Sequence, residues 1–411
     1  MNFKLIFITL ISSILISCYS PFYSIDTDGF SVYRASSSGS GLSSDFVKAT
    51  IVKETENLIV YIERGESYNS SSLDLVCEEF DKYYNKEKSI YGNHTDVDNN
   101  GKIIILFLDL NPYSSSSSSS ILNGYFNPAD LIDGKGNNAD MLYMDLSGLN
   151  NNPDYMAGTI LHELQHLINY NVNVLENGSE MDVWLNEALS ESTSVLFNET
   201  TINSRNKEFN NINYYCFYTW DLPINVFANY PSASVFMNWL YIKNDYNENV
   251  FKNIAAFKST SSYNRVLSQV TTVSSTWDNL LLQWIDDVDN GFVSGAKIGK
   301  IDNNNYINTY IPLYPGALIV FNSSSIGNVD TSGSLLKTKQ NNSSLILLNS
   351  DTYDGTYPTP INITLSPISS SSILRSAKSS IAESSYSDNS YLEVISNTKP
   401  KYRNILLNKI N

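Results

Sequence analysis

Histidine, cysteine and positive charge are all scarce in this sequence, and each shortage excludes a class of site. The 411 residues include only three histidines and three cysteines. No two cysteines form a CxxC pair, so a cysteine-rich metal site is excluded. Lysine and arginine total 26 against 42 aspartates and glutamates, which gives a formal net charge of -16. Neutralising phosphates requires clustered basic residues, so we expect no nucleic-acid partner.

The N-terminus carries the clearest targeting signal. After Lys4, the stretch from Leu5 to Ile16 is mainly apolar and too short to span a bilayer with ease, and it ends in LISC. This ending resembles the bacterial lipobox, where cleavage before the cysteine accompanies lipidation of its thiol. The resemblance implies a lipoprotein signal peptide over residues 1–17 and a lipid anchor on Cys18 at the bacterial cell envelope, outside the cytoplasm. The alternative is an ordinary signal peptide with an incidental cysteine, which would make the protein secreted.

Changes in composition along the chain predict its organisation. Residues 18–45 are rich in serine and glycine and predict a flexible tether. Residues 46–150 predict an α/β part, with strands in KIIILFLDL and ADMLYMDL and a helix in SSLDLVCEEFDKYYNKEKSIYG. Residues 151–292 carry apolar stripes at helical spacing. Residues 293–411 contain short apolar runs between Ser, Asn, Gly and Pro clusters and predict a small β-rich C-terminal domain, so the fold class is α+β.

The segment TILHELQHLINY contains two of the three histidines. The start of a helix is indicated by Pro153, which suits the first helical position, and by Asn152, which can cap it. At about 100° per residue, His162, Glu163 and His166 lie on a different face of this helix from the leucines and isoleucines. Both imidazoles can therefore reach one Zn²⁺ ion, with Glu163 beside a bound water. The alternative is two exposed histidines on an amphipathic helix.

Two histidines need a third ligand to complete a zinc site. The position six residues after His166, where a metzincin has its third histidine, is Val172, and His94 lies far upstream. A carboxylate is therefore needed, and Glu187 in WLNEALSES follows His166 by 21 residues. That distance allows a loop and a second helix, on which Glu191 lies one turn further along. The alternative for Glu187 is a solvated charge on a helix.

HELQH followed by NEALSE resembles the gluzincin metallopeptidases, and LHELQHLINYN with WLNEALSE is most similar to the hyicolysin-type neutral metallopeptidases of bacteria. The resemblance is sharp over residues 140–200, extends more weakly over residues 90–290, and gives no firm expectation for the C-terminal third. It implies a zincin-like domain, with an N-terminal mixed sheet and active-site helix followed by a helical subdomain, and protein or peptide substrates. By position, the zinc ligands are His162, His166 and Glu187, and the general base is Glu163.

The resemblance also implies roles for two further residues. Glu191 lies where thermolysin-like enzymes have an aspartate that hydrogen-bonds a ligand histidine, and its longer side chain can still reach His162. Those enzymes stabilise the oxyanion with a downstream histidine, but no histidine follows His166 here, so a Tyr, Arg or Lys must fill the role if it is filled at all. YPSASVFMNWL resembles the gluzincin aminopeptidase segment in which a catalytic tyrosine opens a helix, which makes Tyr230 the candidate. The alternative is a tyrosine that only packs, since the chain has 28.

The expected reaction follows from the ligand set. Three protein ligands leave a fourth position for water, and Glu163 is expected to take its proton and pass it to the leaving amine. The strand ADMLYMDL is placed like the edge strand that binds extended substrate in gluzincins, so strand addition is expected. The Gly-x-Met-Glu-Asn segment with which gluzincin aminopeptidases hold a substrate amine is missing from the sequence, which favours an endopeptidase.

A calcium loop is a separate hypothesis. DVDNNGK puts Asp96, Asp98 and Asn100 at positions one, three and five of an EF-hand loop, with Gly101 at six. The twelfth position is Phe107 instead of glutamate, so this is not a complete EF-hand. A partial Ca²⁺ site and a plain Asn/Gly turn that introduces a strand both fit the pattern.

Two functions of different classes remain open. The first is a lipid-anchored extracytoplasmic zinc endopeptidase. The second is a surface adhesin or binding lipoprotein on a degenerate peptidase fold, in which the C-terminal β region would bind the partner. The presence of Glu163 together with all three ligands favours the enzyme, because a disused site has no chemical need for the base.

Overall fold

A computed structural model describes residues 29–37, 42–113, 122–217, 220, 229–301, 310–322, 328–331, 335–352 and 360–366. The predicted signal peptide and Cys18 lie outside these residues. Within the described ranges, no helix has both the length and the apolar character needed to cross a bilayer.

The N-terminal part is a six-stranded mixed sheet. Its strands are β1 Gly29–Ala35, β2 Leu42–Glu54, β3 Leu58–Glu63, β4 Ile103–Leu108, β5 Gly124–Phe126 and β6 Met141–Asp145. They lie in the order β1-β2-β3-β4-β6-β5, with β3, β4 and β6 parallel and the other pairings antiparallel. Every residue of β4 is buried, as its unbroken apolar run predicts for a central strand.

Helices cover one face of this sheet and form most of the following chain. They are α1 Ser70–Tyr91, α2 Leu146–Asn151, α3 Pro153–Asn169, α4 Val183–Phe197, α5 Glu199–Phe209, α6 Asn229–Lys243, α7 Asn249–Ala255, α8 Ser262–Leu267 and α9 Trp277–Asp289. A 3-10 helix at Pro128–Leu131 and a π-helical turn at Tyr170–Leu175 complete this part. Successive residues of the central strands point to opposite faces of the sheet and join different hydrophobic clusters. Val60 and Ile105 pack with the helices, whereas Tyr61 and Leu106 pack with β1 and β2.

The prediction of a flexible tether over residues 18–45 is wrong from Gly29 onward, in the part that the structure describes. Strand β1 pairs with β2 in an antiparallel hairpin, with Phe30 opposite Val47. Phe30, Val32 and Val47 are buried against the sheet. The serines and glycines between the two strands obscured this alternation of apolar residues in the sequence.

The C-terminal region forms two small sheets, as its β-rich pattern predicts. Their strands are β7 Tyr214–Tyr215, β8 Tyr310–Leu313, β9 Leu318–Asn322, β10 Asn328–Thr331, β11 Leu336–Gln340, β12 Ser344–Asn349 and β13 Ile361–Ser366. The sheet orders are β10-β13-β8 and β11-β12-β9-β7. Ile311 and Ile363 of one sheet share a buried cluster with Ile319 and Phe321 of the other. The two sheets therefore pack against each other over a common apolar layer.

The predicted boundary at residue 293 does not separate two independent units. Strand β7 comes from the helical part of the chain and pairs with β9. Leu318 and Val320 of β9 belong to the hydrophobic core that the helices share with the N-terminal sheet. Since successive strand residues point to opposite faces, β9 contributes to both the C-terminal cluster and the main core.

Candidate metal centre

Helix α3 carries both histidines of the motif and begins at Pro153, as the sequence predicts. Asn152 takes the cap position, but its side chain makes no capping hydrogen bond, which corrects the expectation from sequence. The helix packs between α1 and α4, so the polar face is buried together with the apolar one. The alternative of two exposed histidines therefore does not hold, because His162 and His166 are 9% and 5% exposed.

The structure brings His162, His166 and Glu187 together. The two Nε2 atoms lie 3.1 Å apart, as expected for imidazoles one helical turn apart. Helix α4 runs alongside α3 and places Oε2 of Glu187 3.5 Å from Nε2 of His162 and 3.7 Å from Nε2 of His166. Three donor atoms at these mutual distances fit a single zinc ion at about 2.0–2.2 Å from each. The residues present therefore suit a metal in both donor chemistry and spacing.

Hydrogen bonds to the far side of His166 set its tautomer. Its Nδ1 atom lies 3.0 Å from Oδ1 of Asn186 and 2.9 Å from Oγ of Ser190. An amide oxygen only accepts hydrogen bonds, so Nδ1 carries the proton and donates it. The Nε2 atom is then unprotonated and has its lone pair directed toward the other two donors, which is the form that ligates metal.

Glu191 lies close to the other histidine, at the position that the resemblance implies. Its Oε1 atom is 3.4 Å from Nδ1 of His162. Arg205 of α5 donates two hydrogen bonds to the same carboxylate, at 2.9 and 2.8 Å. Burial raises the pKa of Glu191 while Arg205 acts in the opposite direction, so the guanidinium offsets the cost of burying this carboxylate.

The sequence pattern does not indicate Arg205, although it indicates Glu191, the carboxylate that Arg205 holds. The interaction joins residues on two different helices, and nothing in the spacing around Arg205 indicates it. The contacts of Asn186 and Ser190 with His166 were likewise not predicted, although both residues lie inside the WLNEALSE motif. The feature that could have indicated them is their position in the motif, since Asn186 directly precedes Glu187 and Ser190 directly precedes Glu191.

Glu163 is held against the edge of the N-terminal sheet. Its Oε2 atom accepts a hydrogen bond of 3.0 Å from the backbone N–H of Phe126 in β5. The side chain is 9% exposed and lines the same cavity as the three candidate ligands. A carboxylate is thereby positioned beside the candidate metal ligands and next to a sheet edge.

The edge strand is not the one that the sequence analysis selected. The strand at 139–146 corresponds to β6, which is hydrogen-bonded to β4 on one side and to β5 on the other. The edge is β5, a strand of three residues. So short a run carries no recognisable alternation of apolar and polar residues, which is why the sequence did not indicate it.

Tyr230, near the start of α6, also lines this cavity. Its ring centre lies 6.1 Å from that of His162 and 5.0 Å from the guanidinium carbon of Arg205. Trp220 packs edge-on against it, with ring centres 4.9 Å apart. Burial, followed by the charge of Glu163, raises the pKa of the Tyr230 hydroxyl, so this group stays protonated and can donate a hydrogen bond.

The cavity that unites these groups has a volume of about 270 Å³. Strand β5 forms one wall, α3 another, and α4, α5 and Tyr230 enclose the rest. This volume lies just below the roughly 300–1,000 Å³ of typical ligand pockets, and it can hold part of an extended peptide.

The candidate calcium loop has a further acidic neighbour that the sequence pattern does not indicate. Asp96 and Asp98 lie close to Asp140, whose carboxylate comes from just before β6. The Asn100 amide donates a 2.6 Å hydrogen bond to Asp98, and its oxygen accepts one from the N–H of Lys102. These bonds account for a self-supporting turn. Calcium binding stays a prediction.

One comparison bears on function. The chain is 32% identical over 195 residues to the neutral metalloprotease ShpI of Staphylococcus hyicus, a match that covers 44% of this chain and 44% of that relative. No protein-family profile matches the chain. The chain thus spans less than half the length of the relative that it matches. This similarity, with the cluster of His162, His166 and Glu187 that could bind a metal, supports a metallopeptidase.

Proposed function

We propose that this protein is a zinc endopeptidase of the gluzincin type, most similar to the hyicolysin-type enzymes. The observation that carries the proposal is the convergence of three ligand atoms and the Glu163 carboxylate on one cavity beside the sheet edge β5. The similarity to a neutral metalloprotease supports the same reaction class. A set of ligands with an adjacent base and an open substrate edge is what peptide hydrolysis at zinc requires.

His162, His166 and Glu187 are the residues that would hold the zinc ion. When bound, zinc supplies a Lewis acid and brings the pKa of water down to about 7. The protein's own contribution is orientation: Asn186 and Ser190 fix one imidazole, and Glu191 faces the other. Arg205 in turn holds Glu191 in place through its two hydrogen bonds.

Glu163 acts as the general base and acid. Its carboxylate takes the proton of the attacking water and then transfers it to the nitrogen of the leaving amine. The N–H of Phe126 fixes one carboxylate oxygen, which limits the rotation of the side chain. Fixing the base in this way lowers the entropic cost of reaching the reactive geometry.

Tyr230 is the proposed donor to the oxyanion. Its hydroxyl remains protonated because burial and Glu163 raise its pKa, and its ring lies beside His162. A protonated, buried donor next to the reacting carbonyl stabilises the negative charge that develops in the transition state.

The substrate is a protein or peptide that binds in extended form. Strand β5 is hydrogen-bonded to β6 along one side only within the described sheet. Apart from the Phe126 N–H, which donates to Glu163, the backbone groups of its other side can accept a substrate strand. The missing aminopeptidase segment favours cleavage within a chain over removal of an N-terminal residue.

A lipid on Cys18 would tether the enzyme outside the cytoplasm. This part of the proposal rests on the LISC motif at the end of the apolar stretch. Metabolic labelling with a lipid analogue should mark the wild-type protein and fail to mark Cys18→Ser. Equal labelling of both proteins would contradict the anchor.

The test of the proposed activity is casein hydrolysis by the purified protein, with and without a zinc chelator. We expect hydrolysis that the chelator removes and that added zinc restores. Absence of chelator-sensitive hydrolysis of casein and of a broad peptide library would favour the rival function, a surface adhesin or binding lipoprotein.

A further inference from the structure

The cavity extends beyond the candidate ligands to an opening at the C-terminal end of α3. Along α3, the residues that line the cavity extend from Gly158 and Thr159 to the end of the helix at Asn169 and Tyr170. We define the cavity mouth as Tyr170, Val174, Glu180 and Met181, which line the cavity at this end. Glu180 is exposed and Tyr170 is half-buried, so this end opens to solvent.

Among the residues that the structure describes, Glu180 has no basic side chain to balance its negative charge. Arg205 is the one arginine or lysine that lines the cavity in the described part of the chain, and it is already bonded to Glu191 at 2.9 and 2.8 Å and to Glu208 at 3.2 Å. No lysine or arginine among the described residues forms an ion pair with Glu180.

The rest of the cavity mouth is mainly apolar. Met181 is buried beside Glu180, and Val174 is half-buried in the π-helical turn. Burial, and then the charge of Glu180, raise the pKa of the Tyr170 hydroxyl. An apolar wall that ends in a carboxylate suits a side chain with a long aliphatic stem and a positively charged end.

We propose that Glu180 makes the cavity mouth a subsite for a lysine or arginine side chain of the substrate. The stem of that side chain would pack on Met181 and Val174, and its charged end would pair with the Glu180 carboxylate. This inference rests on the proposed peptidase function and adds a substrate preference to it. Because Glu180 is exposed, the preference is expected to be modest, at about three- to fivefold in kcat/KM.

The test compares peptides that differ in a single side chain. Quenched fluorescent peptides would carry lysine or glutamine at each of three positions on either side of one cleaved bond, which mass spectrometry identifies. The readout is the lysine-to-glutamine ratio of kcat/KM for each position, measured in the wild type, Glu180→Gln and Glu180→Lys. Glu56→Gln is the matched control, because Glu56 is exposed and lies outside the residues that line the cavity.

We expect the wild type and Glu56→Gln to prefer lysine at one position by about three- to fivefold, less at high salt. Glu180→Gln should bring that ratio close to one, and Glu180→Lys should bring it below one. Hydrolysis without a preference for lysine at any position, or an unchanged ratio in Glu180→Gln, would overturn the subsite and leave the peptidase intact. Failure to cleave every peptide would instead contradict the proposed function, and the subsite with it.

Discussion

Each histidine of α3 presents Nε2 to the same point because a different polar group occupies the space around its Nδ1 atom. Asn186 and Ser190 lie at Nδ1 of His166, and Glu191 lies at Nδ1 of His162. These three residues and Glu187 all come from α4. One helix therefore supplies both a candidate ligand and the groups that orient the other two.

The role of Tyr230 can be separated from that of the metal. Tyr230→Phe removes the hydroxyl and keeps the ring that packs against His162 and Trp220. We expect kcat on casein to fall about 10²-fold while zinc content and melting temperature stay close to those of the wild type. A variant with near-normal kcat and a full complement of zinc would remove Tyr230 from the mechanism.

Glu87 of α1 gives the protein a pH dependence that is independent of the metal centre. Its side chain is fully buried, and neither carboxylate oxygen has a hydrogen-bond partner among the described residues. Burial raises the pKa of this group well above its ordinary value. The folded protein therefore holds a proton that the unfolded chain releases above a pH of about 4.3, so stability falls as pH rises from there toward the folded-state pKa.

Glu87→Gln should remove this contribution. We expect the free energy of unfolding of the wild type to decrease relative to the variant by about 1.4 kcal/mol per pH unit in that window. Urea denaturation of the two proteins at pH 5, 6 and 7 measures the difference. The exposed Glu56→Gln serves as the control, and a wild-type curve parallel to that of Glu87→Gln would refute the assignment.

At the scale of the element, the sequence predicted the helices and strands that have long apolar patterns. It did not predict the very short strands or the pairing of strands far apart in the chain. Helix α1 and strand β4 carry long periodic or unbroken apolar patterns, and the structure places both where these patterns predict. Strand β5 has three residues, and β7 has two and pairs with β9 across about a hundred positions. Such short strands form because neighbouring elements pair with them. The local sequence carries no information about these neighbours.

The same distinction applies to the candidate metal centre. The spacing within α3 and α4 indicated the histidines and Glu187 because residues one turn apart share a helix face. The contacts of Glu163 with β5 and of Glu191 with Arg205 join separate elements. These contacts depend on tertiary packing, so they became visible only in the structure.

At the scale of the whole molecule, the C-terminal sheets are part of the main core. Leu318, Val320, Ile346 and Leu348 are fully buried in the cluster that the helices share. Lys300 and Lys339 also form ion pairs with aspartates of α9, at 3.0 and 2.8 Å. Removal of these strands would expose the apolar side of the helical part.

Deletion of the chain from residue 293 onward should therefore destabilise the peptidase part. Each of the four buried side chains contributes about 1.5–3 kcal/mol through burial, so the loss amounts to several kcal/mol. We expect a clearly lower melting temperature and more aggregation than for the full chain, as measured by thermal unfolding and size-exclusion chromatography. An equally stable truncated protein would restore the prediction of an independent C-terminal domain.

The most direct test of the central claim is the activity and metal content of Glu163→Gln. The substitution removes the base and retains the three ligand side chains, so the variant should bind zinc as the wild type does. Casein hydrolysis should fall by about 10²- to 10⁴-fold, the contribution of a positioned general base. Zinc-loaded Glu163→Gln with wild-type activity would contradict the proposed mechanism, and a zinc-loaded but inactive variant is the result that it predicts.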